Sequence, residues 1–233
     1  MKFYKVLGKG GVTCNGGSGK WNLPKNGEPG EWMPKIEKIK PCVKGYHLCR
    51  EDDLLEWLNE EIYEAEGRGR SIRNGSKDVF PEARLLRKLD SWNEKTARLF
   101  AADCAERVLF IFERIHPNDD RPRTAIQAAR DFANGKTDRY PGAAAGAVWA
   151  AAWDAGDAAR AAGAAVWAVR AAAWAARAAA CAAGDAGAVW AAARAAACAA
   201  GATGTGAAER QWQKKRLKYY LCKYKKPGRE VKW

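Results

Sequence analysis

The chain has 233 residues, room for one large or two small domains, and a formal net charge of +13 from 40 Lys/Arg against 27 Asp/Glu. The excess sits at the ends: residues 1–50 carry ten Lys/Arg against three Glu, and residues 209–233 ten against two, so either end could be a docking or nucleic-acid surface or a solvated tail. The longest charge-free runs of the Ala-rich region, 140–153 and 195–208, fall short of the roughly eighteen apolar residues that argue for a membrane span. Seven scattered cysteines and an N-terminus without an apolar signal-type segment lead us to expect a reduced, cytoplasmic protein.

Residues 1–75 read as a small α+β domain. Phe3-Tyr-Lys-Val-Leu7 has the texture of a strand, followed by the glycine-rich Gly8-Lys-Gly-Gly11 and Asn15-Gly-Gly-Ser-Gly19. A phosphate-loop reading of Ser18-Gly19-Lys20 fails, because Cys14 stands where that motif needs Gly and Trp21 where it needs Ser or Thr. Cys14, Cys42, His47 and Cys49 could in principle ligate zinc. No tight Cys-x-x-Cys knuckle is present, so we expect no metal and read the cysteines as small buried fillers. Glu51-Asp-Asp opens a short helix, and Glu61 to Gly67 alternates like a strand. The run Lys40-Pro-Cys-Val-Lys-Gly-Tyr-His-Leu-Cys49, with the short helix and strand behind it, resembles a short uncharacterised domain found at the front of phage proteins.

Residues 76–222 read as a larger Ala-rich, all-α helical bundle, with 223–233 as a basic tail. We expect a helix from Pro81 through Leu89. A long second helix runs from Asn93 to Ile115, with Leu99, Ala102, Ala105, Leu109 and Phe112 as its core face. A third begins after Asn118-Asp-Asp, with Pro122 in its first turn, and stops at Asn134-Gly135. Between 142 and 208 alanine dominates, and Gly/Asp/Thr clusters at Asp154–Asp157, Gly184–Gly187 and Gly201–Gly206 mark helix breaks. The nine residues Ala176 to Gly184 recur identically as Ala193 to Gly201. Leu217, Leu221 and Tyr224 space like the apolar stripe of a last amphipathic helix, although the cations and aromatics around them would also suit single-stranded nucleic acid.

The Ala-rich region supplies the candidate site. Trp167, Arg170, Trp174, Arg177 and Cys181 fall in one helical stripe, and Trp149, Trp153, Arg160, Trp190 and Arg194 repeat the same chemistry nearby. The arginines either pair with Asp154, Asp157 and Asp185, the tryptophans being core, or they grip a phosphate while the rings stack on a planar base. The segments Leu99 to Leu109, Arg121 to Arg130 and Glu209-Arg-Gln-Trp-Gln213-x-x-Arg216-Leu217, in that order around an Ala-rich stretch, resemble the putative immunity protein family. That resemblance implies an all-α protein of bacterial or phage conflict systems that binds rather than catalyses.

His47 and His116 are the two histidines, and neither sits in a nucleophile pattern, so we expect no enzyme and no cofactor. The reading that combines these features is a phage counter-defence sponge holding a nucleotide immune signal, a small phosphate-bearing ligand, in the Arg/Trp stripe. The alternatives are an immunity protein masking a protein partner, and nucleic-acid binding through the basic ends. Ala/Trp faces favour self-association, so a homo-oligomer is expected.

Overall fold

The computed structural model describes residues 1–14, 16–138, 141–143, 146–147, 150, 171, 174–175, 178–179, 181, 187–202 and 204–223. The architecture is α+β: an antiparallel six-stranded sheet comes first and helices follow. The chain divides into two compact units, Met1–Trp92 and Asn93–Trp233.

In the first unit β1 (Phe3–Leu7) pairs antiparallel with β2 (Tyr46–Arg50) on one side and β3 (Glu61–Arg68) on the other. The hairpin of β4 (Ile72–Asn74) and β5 (Lys77–Phe80) adds to β2, and β6 (Glu82–Lys88) adds to β3, giving the order β4-β5-β2-β1-β3-β6. Gly75 opens the two-residue hairpin loop at φ 58°, a left-handed value that glycine adopts without steric cost. Leu7, Trp21, Leu48, Tyr63, Phe80 and Leu85 form the core on the sheet. Gly67 lies so close to the Phe80 ring that a Cβ there would run into it.

Residues 82–88 correct the expected helix. Glu-Ala-Arg-Leu-Leu-Arg-Lys has good helix formers throughout, yet Ala83 and Leu85 alternate into the core while their neighbours face outward. The outward side chains explain the choice. Across the ladder Arg84 meets Glu66, Arg87 meets Glu64, Glu82 meets Arg68 and Lys88 reaches Glu61 at 2.6 Å. Opposite charges on facing positions favour the pairing by about 0.2–1 kcal/mol each, and long-range pairing overrides local propensity. The sheet unit therefore runs to Trp92 rather than ending at residue 75. The short helix expected at 51 is a 3-10 turn, Glu51–Glu56.

Four helices have bounds among the described residues. Helix α1 (Glu94–Glu113) starts from Asn93, whose Oδ1 accepts the Thr96 amide at 3.2 Å while Thr96 Oγ1 accepts the Asn93 amide at 2.9 Å. Every residue from Phe100 to Ala105 is buried, as are Val108, Leu109, Ile111 and Phe112. Small side chains at 101, 102, 104 and 105 let neighbouring helices approach this one from several sides, and α2 (Arg121–Ala133), α3 (Gly187–Ala202) and α4 (Gly206–Lys223) all pack on it. The expected break at 201–206 is present: Gly204 takes φ 82°, Thr205 Oγ1 donates to Ala200 O at 3.2 Å, and Thr205 O accepts the Glu209 amide at 3.0 Å. Leu217 and Leu221 are buried on α4, while Tyr224 and the rest of the basic tail lie outside the described residues. Among the described residues no helix is long and apolar enough to cross a membrane.

Two measurements test these assignments. Asn93→Ala removes the α1 cap and lowers unfolding stability by about 1 kcal/mol in denaturant titration. Asp78 on β5 is buried and accepts from Arg50 on β2 and Arg73 on β4. Burial alone would raise its pKa, but the two guanidinium partners outweigh burial and hold the carboxyl below its ordinary 3.8. Its contribution is thus present above pH 3.8 and lost as pH falls through the lower folded value. Asp78→Asn lowers the melting temperature at neutral pH and flattens the acid limb of a melting-temperature profile.

Candidate functional site

The helical unit is built around one carboxylate. Asp103 sits in the middle of α1 with Ala102 and Cys104 as neighbours and is 6% exposed. Its Oδ2 accepts from Arg216 Nε and from the Tyr220 hydroxyl, both at 2.6 Å, and its Oδ1 lies 2.9 Å from Arg130 Nη2. One side chain of α1 thereby holds α2 and α4. A second polar cluster lies along the same helices. Arg107 approaches Glu209 at 3.3 Å, and Gln213 Nε2 donates to Glu209 Oε1 at 3.0 Å and to the Ala193 carbonyl of α3 at 2.9 Å.

Burial pushes the Glu209 carboxyl above its usual range, with Gln213 and Arg107 only partly offsetting it. Tyr220 is pushed up by burial first and then by its bond to Asp103. Arg216 also stacks over the Tyr219 and Tyr220 rings, and Arg107 over Trp212. Each buried charge here has an oppositely charged or hydrogen-bonding partner, so the clusters are suited to fixing helix positions rather than to proton transfer.

Of the nine stripe residues, Trp149, Trp153, Arg160, Trp167, Arg170 and Arg177 lie outside the described residues. Trp174 is helical and partly buried, Trp190 lies within α3, and Arg194 is exposed on α3, away from the buried row Val189, Ala192, Ala193 and Ala196. The residues that sequence reasoning passed over as a site are Asp103, Arg130, Glu209, Gln213, Arg216 and Tyr220. Their signal was available: a carboxylate between Ala102 and Cys104 on a core helix, and polar side chains at i, i+4, i+7 and i+11 on the face of α4 that also carries Leu217 and Leu221.

The sheet unit holds a cavity of about 520 Å³ that Cys14, Cys42, His47 and Cys49 all line. They do not converge as ligands. Cys14 Sγ contacts Val6 O at 3.6 Å, Cys49 Sγ contacts Tyr4 O at 3.5 Å, and His47 Nε2 accepts the Cys42 amide at 3.1 Å. Burial pushes the Cys49 thiol up to about 12 and raises Cys14. Among the described residues no group of three His, Cys, Asp or Glu side chains is placed to hold a metal. The other histidine, His116, packs its ring against Phe112, and its buried Nε2 has no partner among the described residues.

Removing the central carboxylate tests the scaffold. Asp103→Ala takes the acceptor from Arg216 and Tyr220, while Arg130 keeps Glu106 at 2.5 Å, and costs about 2–3 kcal/mol, less than a fully buried pair because both arginines reach solvent. Thermal or denaturant unfolding measures it, and Arg107→Ala, on an exposed side chain, costs less than about 1 kcal/mol.

Comparison with known proteins places this scaffold. A family model described as Imm-5 like putative immunity protein matches residues 87–220, more than half of the chain, and ends at Tyr220, which binds Asp103. No curated protein and no solved structure matches. The matched segment takes in α1 to α4 with both polar clusters and leaves residues 1–86 outside it. The chain belongs to the Imm-5 like putative immunity protein family.

Proposed function

We propose that the protein is a non-catalytic immunity-type protein that binds and masks a protein partner, acting in the cytoplasm. The family match over residues 87–220 carries this reading. Helix α4 supplies its chemistry. One face of that helix is consumed by Glu209, Gln213, Leu217 and Tyr220 in the core, while Arg210 and Lys215 on the other are exposed and Lys214 is partly so. A rigid helix that presents cations on one side and is anchored by buried bonds on the other suits an acidic protein surface. Paired clusters at Asp103 and Glu209 and the absence of a nucleophile pattern in the sequence favour binding over catalysis.

A second reading retains the small phosphate-bearing nucleotide as ligand of the Arg/Trp stripe, in a phage counter-defence role. Its support is the sequence spacing of those tryptophans and arginines together with the surface position of Arg194 on α3.

One purification separates the two. Protein isolated from a host is analysed intact and after denaturation by mass spectrometry. A stoichiometric acidic partner is expected, and Arg210→Glu with Lys214→Glu and Lys215→Glu weakens its retention by about tenfold, with a steep salt dependence. A released nucleotide without a partner, lost in Arg170→Ala/Arg177→Ala, would replace this reading with the second.

A further inference from the structure

The cavity of the Met1–Trp92 unit has an unusual charge content. Four lysines line it, Lys5, Lys20, Lys44 and Lys77, beside His47, and no carboxylate does among the described residues. On the strands of the same unit cations are matched: Arg50 and Arg73 bind Asp78, Arg68 binds Glu82, Arg84 binds Glu66, Arg87 binds Glu64, and Lys88 binds Glu61. The cavity lysines are held differently. Lys5 Nζ donates to the His47 carbonyl at 3.1 Å and lies 5.1 Å from the Trp21 ring centre, and Lys77 Nζ lies 5.1 Å from the Trp57 ring centre. The acids that act on the lining cysteines, Glu60 on Cys14 and Asp53 on Cys49, have partners of their own. Asp53 pairs with Arg73 at 2.8 Å, and Glu60 accepts the Lys9 amide at 2.6 Å.

The consequence is electrostatic. Burial pushes Lys5 below the usual lysine range, and the neighbouring Lys77 lowers it further. His47 is lowered by burial and then by Lys77 and Lys5. Like charges therefore act on each other across a partly desolvated space, which an anion would relieve. The rim provides directed donors as well. Gly16 and Gly19 adopt φ 81° and 102° with open space where a Cβ would stand, and the exposed Ser18 and Gly19 amides donate to no protein acceptor among the described residues. Backbone amides in a glycine-rich turn next to lysines are the elements that hold phosphate oxygens, and the volume suits a small ligand.

We propose that this cavity binds a small phosphate-bearing anion, with Lys5, Lys20, Lys44 and Lys77 providing charge and the Ser18–Gly19 turn providing directed hydrogen bonds. The site lies outside the family-matched segment and stands independently of the partner-binding reading.

Calorimetric titration of the full chain with inorganic triphosphate and with ATP is the test. Saturable one-site binding is expected, weakening as salt rises. Lys20→Gln/Lys77→Gln, at side chains outside the apolar core, weakens it by about tenfold or more, while the α4 variant Arg210→Glu/Lys214→Glu/Lys215→Glu binds as the parent does. Equal affinity for the two probes assigns recognition to phosphate alone, and tighter ATP binding assigns a nucleoside phosphate. Absence of saturable binding, unchanged binding in Lys20→Gln/Lys77→Gln, or equal loss in the α4 variant would overturn the site, the last by identifying nonspecific attraction to a basic protein.

Discussion

The helical unit depends on burying the Asp103 carboxylate without leaving its charge unpaired. Ionised carboxylates are costly to remove from water, so the position is tolerable only where several donors meet it. Arg130 from α2 and Arg216 and Tyr220 from α4 do so, each at 2.9 Å or less. Those bonds have direction, which alanine packing lacks. Helices faced with Ala offer shallow ridges and grooves and could slide past one another at little cost; a carboxylate with three fixed donors permits one register. The Glu209–Gln213 cluster adds a tie from α4 to the Ala193 carbonyl of α3. We see in this the reason an Ala-rich sequence can still specify particular helix contacts.

The sheet unit handles charge in two opposite ways. Along β3 and β6 every outward charge meets its opposite, and Asp78 ties β2, β4 and β5 through two arginines. Around the cavity Lys5 and Lys77 lean on tryptophan rings, and Lys5 on a carbonyl, instead. The partner surface proposed on α4 and the anion site proposed in this cavity lie in separate parts of the chain.

Local features of the sequence were good guides where the physics is local. Pro122 in the first turn of α2, the stop at Asn134-Gly135 and the break ending at Gly206 each involve groups within a few residues, and the structure places all of them. Strands β1 and β3 were legible from alternation. Residues 82–88 were not, because their helix propensity is genuine and the glutamates that overrule it lie on β3, about twenty residues away. Asp103 escaped notice as a site for a similar reason: its donors come from sequence positions 130, 216 and 220, and nothing near residue 103 announces them.

The sequence by itself determined the α+β order, the ends of α2 and the break between α3 and α4, and the charge excess at both termini, since these follow from propensity, turn chemistry and composition. It also carried the ordered motifs that mark the family. Tertiary structure alone decided which charges became pairs and which were left facing a cavity. Glu66 beside Arg84, Asp103 beside Arg216, and Lys5 beside His47 with no acid opposite are facts of register and packing. Coulomb energies change steeply with distance and burial, so residues of the same type acquire different roles once the chain has folded.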